Sequence, residues 1–125
     1  KNNHVDAVRY LVERANANTE TEDKYRWTPL HFAAARNNNI DAVQYLVEKA
    51  ANIEAKDYHG YTPLHHAAEN GHIDVVRYLV KKAANIEAED NDGWTPLHRA
   101  AEKDHVDAVR YLVEKAKANI EAEEH

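Results

Sequence analysis

The chain has 125 residues, enough for one domain with a buried core, and no apolar run approaches the ~18 residues a membrane-spanning helix needs. Sixteen Lys and Arg stand against 22 Asp and Glu, a net charge of −6 spread along the whole chain, so the clustered basic footprint of a nucleic-acid or anionic-membrane binder is missing. Cys is absent, which excludes disulfides and thiolate chemistry and leaves the redox compartment open. A soluble chain is expected. Without a Met at position 1 or the apolar stretch of a signal peptide, it reads as an excised or processed segment.

The first element is Val5-Asp6-Ala7-Val8-Arg9-Tyr10-Leu11-Val12, and it recurs at 40–47, 73–80 and 106–113. In the third copy Ile73, Val76, Leu79, Val80 and Ala83 form an apolar stripe of helical period, with Asp74, Arg77 and Lys81 on the other side. The Asp near each start suits the positive end of the helix dipole, and the trailing Lys or Arg suits the other end.

A second block follows each connecting loop: Thr28-Pro29-Leu30-His31, Thr62-Pro63-Leu64-His65 and Thr95-Pro96-Leu97-His98, spaced 34 and then 33 residues apart. Thr is a good N-cap and Pro suits the next position, so each block predicts an abrupt helix start. Leu64, Ala67 and Ala68, like their counterparts, make a narrow stripe of small residues that allows close helix approach. Six leucines, Leu30, Leu46, Leu64, Leu79, Leu97 and Leu112, are expected to be buried. Between helix pairs, Asp57 to Gly60 and Asp90 to Gly93 read as tight turns within a short hairpin-like finger.

A 33-residue period carrying Thr-Pro-Leu-His with Ala-Ala after one variable residue resembles the ankyrin repeat over essentially the whole chain. The resemblance implies an all-α solenoid of antiparallel helix pairs joined by hairpin-like finger loops, in a single domain 1–125. Its units are a partial first repeat at 1–22 and repeats at 23–56, 57–89 and 90–125. After Val113 the chain is expected to enter the next finger. Three departures stand out: Ala15, Ala50, Ala83 and Ala116 sit where the family usually has Gly after the outer helix, Arg26 replaces a finger Gly, and single extra residues fall near Asn16, in 36–39 and near Lys117. The irregular lengths do not fit a pure consensus design, whereas the missing Ser, Cys and Met point to engineering or a strong composition bias.

Nine histidines invite a metal reading, but His31, His65 and His98 share one repeat position and should lie ~10 Å apart, too far for one zinc ion to bridge. His72 and His105 fail for the same reason, and the neighbours His65 and His66 point in different directions. The motif histidines read as neutral imidazoles tying each Thr cap to adjoining backbone. No metal or cofactor is expected. With neither Ser nor Cys, capping roles for the periodic Thr residues and three isolated glycines, no enzyme is expected either.

What varies between units points to function. The residues before each motif Thr are Lys24-Tyr25-Arg26-Trp27, Tyr58-His59-Gly60-Tyr61 and Asn91-Asp92-Gly93-Trp94, and the residue after each motif His is Phe32, His66 or Arg99. The resemblance places these positions on a concave face that carries partner contacts, and aromatic residues and Arg are enriched at binding hot spots. The candidate partner-binding set is therefore Tyr25, Trp27, Phe32, Tyr58, His59, Tyr61, His66, Asn91, Asp92, Trp94 and Arg99. Trp27, Tyr61 and Trp94 equally suit packing of finger against finger, and Tyr10, Tyr45, Tyr78 and Tyr111, identical in all four copies, suit packing alone. The expected partner is another protein, with neither nucleic acid nor membrane. The alternative is a scaffold or spacer segment that self-associates weakly through terminal repeats. An intracellular location follows from the resemblance only.

Overall fold

The computed structural model of the chain describes residue 20, residues 22–36, residue 38 and residues 40–123. Among the described residues six helices occur in the order α1 (Pro29–Arg36), α2 (Ile40–Glu48), α3 (Pro63–Glu69), α4 (Ile73–Lys81), α5 (Pro96–Glu102) and α6 (Val106–Glu123). No strand is formed among the described residues. The copy at 5–12, Tyr10 and the departures at Ala15 and Asn16 lie outside the described residues.

The helices form two layers. Inner helices α1, α3 and α5 stack in order, each also packs on its outer partner α2, α4 or α6, and the outer helices touch one another less closely. The cause is side-chain size: Ala34, Ala67, Ala68 and Ala100 are fully buried in the inner layer, where small residues let helices approach. Unequal spacing of two layers curves such a stack toward its tighter side, which here carries the inner helices and fingers. Leu30, Leu46, Leu64, Leu79 and Leu112 are buried as expected. Leu97 is only half-buried, because no further inner helix covers the exposed side of α5. Val75 is buried as well, off the apolar stripe read from the sequence, since an outer helix is covered from two directions.

Local chemistry starts and stops these helices. Thr28, Thr62 and Thr95 each accept the backbone N–H of the motif His on the hydroxyl. The His Nδ1 in turn accepts the Thr backbone N–H at 3.0–3.1 Å, a reciprocal cap in which imidazole takes the usual place of a Glu. At the outer-helix ends Ala51 N–H donates to the Leu46 carbonyl and Ala50 N–H to the Val47 carbonyl, and Ala84 and Ala83 repeat the pattern on Leu79 and Val80. That six-to-one closure needs a left-handed residue, and Ala50 at φ 70 and Ala83 at φ 72 supply it despite their Cβ atoms. Arg26 at φ 65 likewise adopts the geometry of Gly60 and Gly93.

The third copy of the pattern behaves differently. Ala116 does not turn the chain, and α6 runs on through the Ala118–Ala122 segment that was expected to open a finger. The same pentapeptide, Ala-Asn-Ile-Glu-Ala, is non-helical at 51–55 and 84–88, where each Asn backbone N–H donates to a Glu of the preceding unit. The extra residue near Lys117 and a run of good helix formers favour continuation.

Candidate functional site

Each finger is closed by an aspartate at its base. Asp23 Oδ1 accepts the backbone N–H groups of Tyr25 and Trp27, Asp57 Oδ1 those of His59 and Tyr61, and Asp90 Oδ1 those of Asp92 and Trp94. Tyr58 N–H donates to the Tyr25 carbonyl at 2.8 Å and Asn91 N–H to the His59 carbonyl at 3.0 Å, so adjacent fingers are laterally tied. A Cβ on Gly60 would lie 2.7 Å from the Asn91 backbone nitrogen, which explains the glycine there.

The second aspartate oxygen is used by the residue nine positions later. His66 Nε2–H donates to Asp57 Oδ2 at 2.7 Å, and Arg99 Nε–H donates to Asp90 Oδ2 at 2.8 Å. Arg99 also reaches Asp92 at 2.9 Å and Glu102 at 3.4 Å. In the first described unit this position is Phe32, and Asp23 is exposed. Burial raises the carboxyl pKa of Asp57, but the His66 bond and the backbone donors outweigh it and the net direction is down. At Asp90 burial again acts upward and is outweighed, by the Arg99 bond and then the backbone N–H groups. Burial pulls the Arg99 guanidinium down, and its bonds to Asp90 and Asp92 more than reverse that.

These side chains stack with the finger aromatics in one column. Trp27 lies 4.8 Å from Phe32 and 4.4 Å from His66, and Tyr61 lies 4.8 Å from His66 on the other side. Arg99 then sits 5.1 Å from the Tyr61 ring and 4.5 Å from Trp94. Trp27, Tyr61 and Trp94 are thus the spacers of the column and half-buried. The sequence reading places His66 and Arg99 on the partner surface; the structure buries both, with 6% and 9% exposed. Tyr25 and Tyr58 are open at adjacent fingertips, 49% and 66% exposed, and His59, Asn91 and Asp92 are exposed beside them. Phe32 is half-buried at the start of the column. Tyr45, Tyr78 and Tyr111 pack in the outer layer, each under a lysine: Lys49, Lys82 or Lys115.

A cross-position group escapes a comparison of equivalent histidines and of the adjacent His65 and His66. His31, Asp57 and His66 bring one ligand atom each within 4.8 Å of one another. The hydrogen bonds of His31 argue against a metal there: Nδ1 accepts from Thr28 N–H, so the proton is on Nε2, which donates to the Tyr61 carbonyl at 2.9 Å. Both ring nitrogens are spent, and a metal bond would cost the α1 cap. His65 does the same toward Trp94 at 2.8 Å. Burial pushes both imidazoles below their ordinary pKa, against the pull of the carbonyl bond, so they are neutral structural groups. His98, one unit later, is exposed. The missed signal was visible: Asp23, Asp57 and Asp90 recur, with a cationic or cation-capable residue nine positions on in two of three cases.

Among known families the chain matches the one described as ankyrin repeats (3 copies), over residues 1–57 and 54–124. No curated protein gave a match. Ankyrin repeats are in general protein–protein interaction modules. The helix pairs, the reciprocal Thr–His caps, the laterally bonded fingers and this match over nearly the whole chain agree, and the chain belongs to the ankyrin repeat family.

Proposed function

We propose that this chain is a binding module that receives a partner protein on the face formed by its fingers and inner helices. The observation that carries the reading is the pair of open fingertip tyrosines, Tyr25 and Tyr58, on fingers held in register by a backbone bond. Large amphipathic rings on a rigid edge are the side chains that anchor interfaces. Phe32, His59, Asn91 and Asp92 extend the same surface, and the half-buried Trp27, Tyr61 and Trp94 offer ring edges to it. His66 and Arg99 act beneath, holding the column that sets finger spacing. Neither catalysis nor a cofactor enters this reading.

The test is affinity capture with the wild-type chain, with a Tyr25→Ala/Tyr58→Ala double variant and with Arg77→Ala on the outer layer. Partner retention lost in the double variant alone, with circular dichroism unchanged, supports the module. Equal retention by all three chains removes it.

A second reading, self-association, is favoured by one comparison. Leu97 is half-buried and His98 and Ala101 are exposed, whereas Leu64, His65 and Ala68 one unit earlier are fully buried, and Val106 and Val113 on α6 are 58% and 46% exposed. An uncovered repeat face of this kind can take a second copy. Sedimentation over a concentration series, for wild type and Val113→Lys, checks it; a monomer throughout removes this reading.

A further inference from the structure

Each junction between units is closed by the same two bonds. His31 Nε2–H donates to the Tyr61 carbonyl of the next finger at 2.9 Å, and His65 Nε2–H to the Trp94 carbonyl at 2.8 Å. In return the next finger donates one backbone N–H, Tyr58 to the Tyr25 carbonyl at 2.8 Å and Asn91 to the His59 carbonyl at 3.0 Å. The last unit presents its half of this junction unpaired. His98 Nδ1 accepts the Thr95 N–H as in the other units, which leaves the proton on Nε2, and neither that N–H nor the Asp92 carbonyl has a hydrogen-bond partner among the described residues. Beside them Leu97 and Ala101 keep the exposure that their counterparts Leu64 and Ala68 lose.

The first finger presents the other half. The Trp27 carbonyl accepts Asp23 N–H, as Tyr61 accepts Asp57 N–H and Trp94 accepts Asp90 N–H, but it lacks their second donor, an imidazole. The Lys24 N–H, at the position of Tyr58 and Asn91, likewise has no acceptor among the described residues. Arg26 at φ 65 gives this finger the left-handed geometry of Gly60 and Gly93, so its free carbonyl and N–H are set out as in the other two fingers. Charges match as well, with Lys24 and Arg26 exposed on the first finger and Glu89 and Asp92 on the third. The sequence adds a further correspondence: residues 4–18 and 105–119 differ only at Arg14 against Lys115 and Asn16 against Lys117. An incoming first finger therefore meets, in α6, nearly the same stretch that leads into it within its own chain.

We infer that a second copy of this chain docks head to tail, its first finger and α1 laid on the uncovered side of the third finger and α5. His98 Nε2–H then donates to the Trp27 carbonyl of the following copy, whose Lys24 N–H donates to the Asp92 carbonyl, and the contact is one more junction of the series. The inference rests on the self-association reading and fixes its geometry and both contact surfaces. In the outer layer α6 stands before α2 of the following copy, where it competes with that copy's near-identical residues 4–18. A contact between two different faces does not close on itself, so each added copy exposes a fresh third unit and the stack grows open-ended.

The test combines sedimentation over a concentration series with cross-linking of whole chains, in which the absence of Cys makes each introduced thiol unique. Wild type should grow past the dimer as concentration rises. In an equimolar mixture of Lys24→Cys and Asp92→Cys chains, a short bismaleimide should yield the mixed dimer about fivefold or more over either chain linked to itself. Ala101→Arg places a charge on the uncovered side of α5, at a position exposed in the single chain, and should weaken growth about tenfold or more. Its first finger is intact, so it should still cap wild-type stacks. Lys81→Ala on α4 should shift association less than twofold. Association that stops at a dimer, with Asp92→Cys linking mainly to itself, would overturn the head-to-tail geometry and leave self-association standing through a symmetric contact. A monomer at every concentration would remove both.

Discussion

Replacing Arg99 by Ala is the sharpest test of the buried column. A truncation at the surface would change stability by less than ~0.5 kcal/mol. Arg99 is instead 9% exposed, and its Nε donates to an Asp90 carboxylate that has no exposed side-chain surface. Removing one partner of a buried pair leaves the other charged and desolvated, at ~3–5 kcal/mol. Asp90 keeps its two backbone donors and part of the Arg99 rim is wet, which reduces the expected loss to about 2–4 kcal/mol. For a chain of this size that is a fall in Tm on the order of 10 °C. Urea unfolding of wild type, Arg99→Ala, Asp90→Asn and the double variant isolates the pair, and the double variant should be much less unstable than the two losses summed. A midpoint for Arg99→Ala indistinguishable from wild type would refute the argument and return Arg99 to the partner surface.

Acid should weaken the fold in two steps. His31 and His65 lie below the ordinary imidazole value of 6.5, so the unfolded chain binds the extra proton first, and stability is lost as pH falls from about 6.5 through the folded values. Asp57 and Asp90 lie below the ordinary 3.8 and act in the same direction, so a further loss follows below about pH 4. A urea midpoint that rises between pH 6.5 and 5 would contradict the neutral, carbonyl-bound histidines. Ala83→Gly relieves a left-handed residue at φ 72 and should add about 0.5–1 kcal/mol, read from thermal melts; a loss would mean that the Schellman closure is not formed. Gly71→Ala should cost more than Gly93→Ala, although both have φ above 70, because only at Gly71 does the new Cβ run into a side-chain ring, that of His105. Equal losses in parallel denaturation would show that His105 swings away freely.

What was legible in the sequence is what is local. Period, helix order and the Thr–Pro starts depend on neighbours within one turn, and the buried leucines follow from a stripe. His66 and Arg99 were misplaced because their partners lie nine residues back, across a finger whose fold brings the base aspartate over its own helix. A residue's position on a face says nothing of a carboxylate arriving from outside that helix. The end of the outer helices was hidden for a related reason. Ala50, Ala83 and Ala116 look alike, yet the first two turn left-handed, with the Asn that follows each bonded to a Glu of the preceding unit, and the third stays helical, where an extra residue near Lys117 and good helix formers follow; the difference lies outside the Ala position itself.

The two kinds of contact in the column have different reach. Stacking is shared between neighbours, as Trp27 with His66 and Tyr61 with Arg99, whereas each side-chain hydrogen bond to a buried carboxylate closes inside its own unit, Asp57 with His66 and Asp90 with Arg99. A unit can therefore be duplicated, deleted or exchanged along the gene without orphaning a buried charge, since donor and acceptor travel in the same stretch of coding sequence. The ring contacts survive such shuffling because any aromatic face will do. Length is thus free to change by whole units, while the side chains that confer recognition change one at a time on a frame that stays electrically closed.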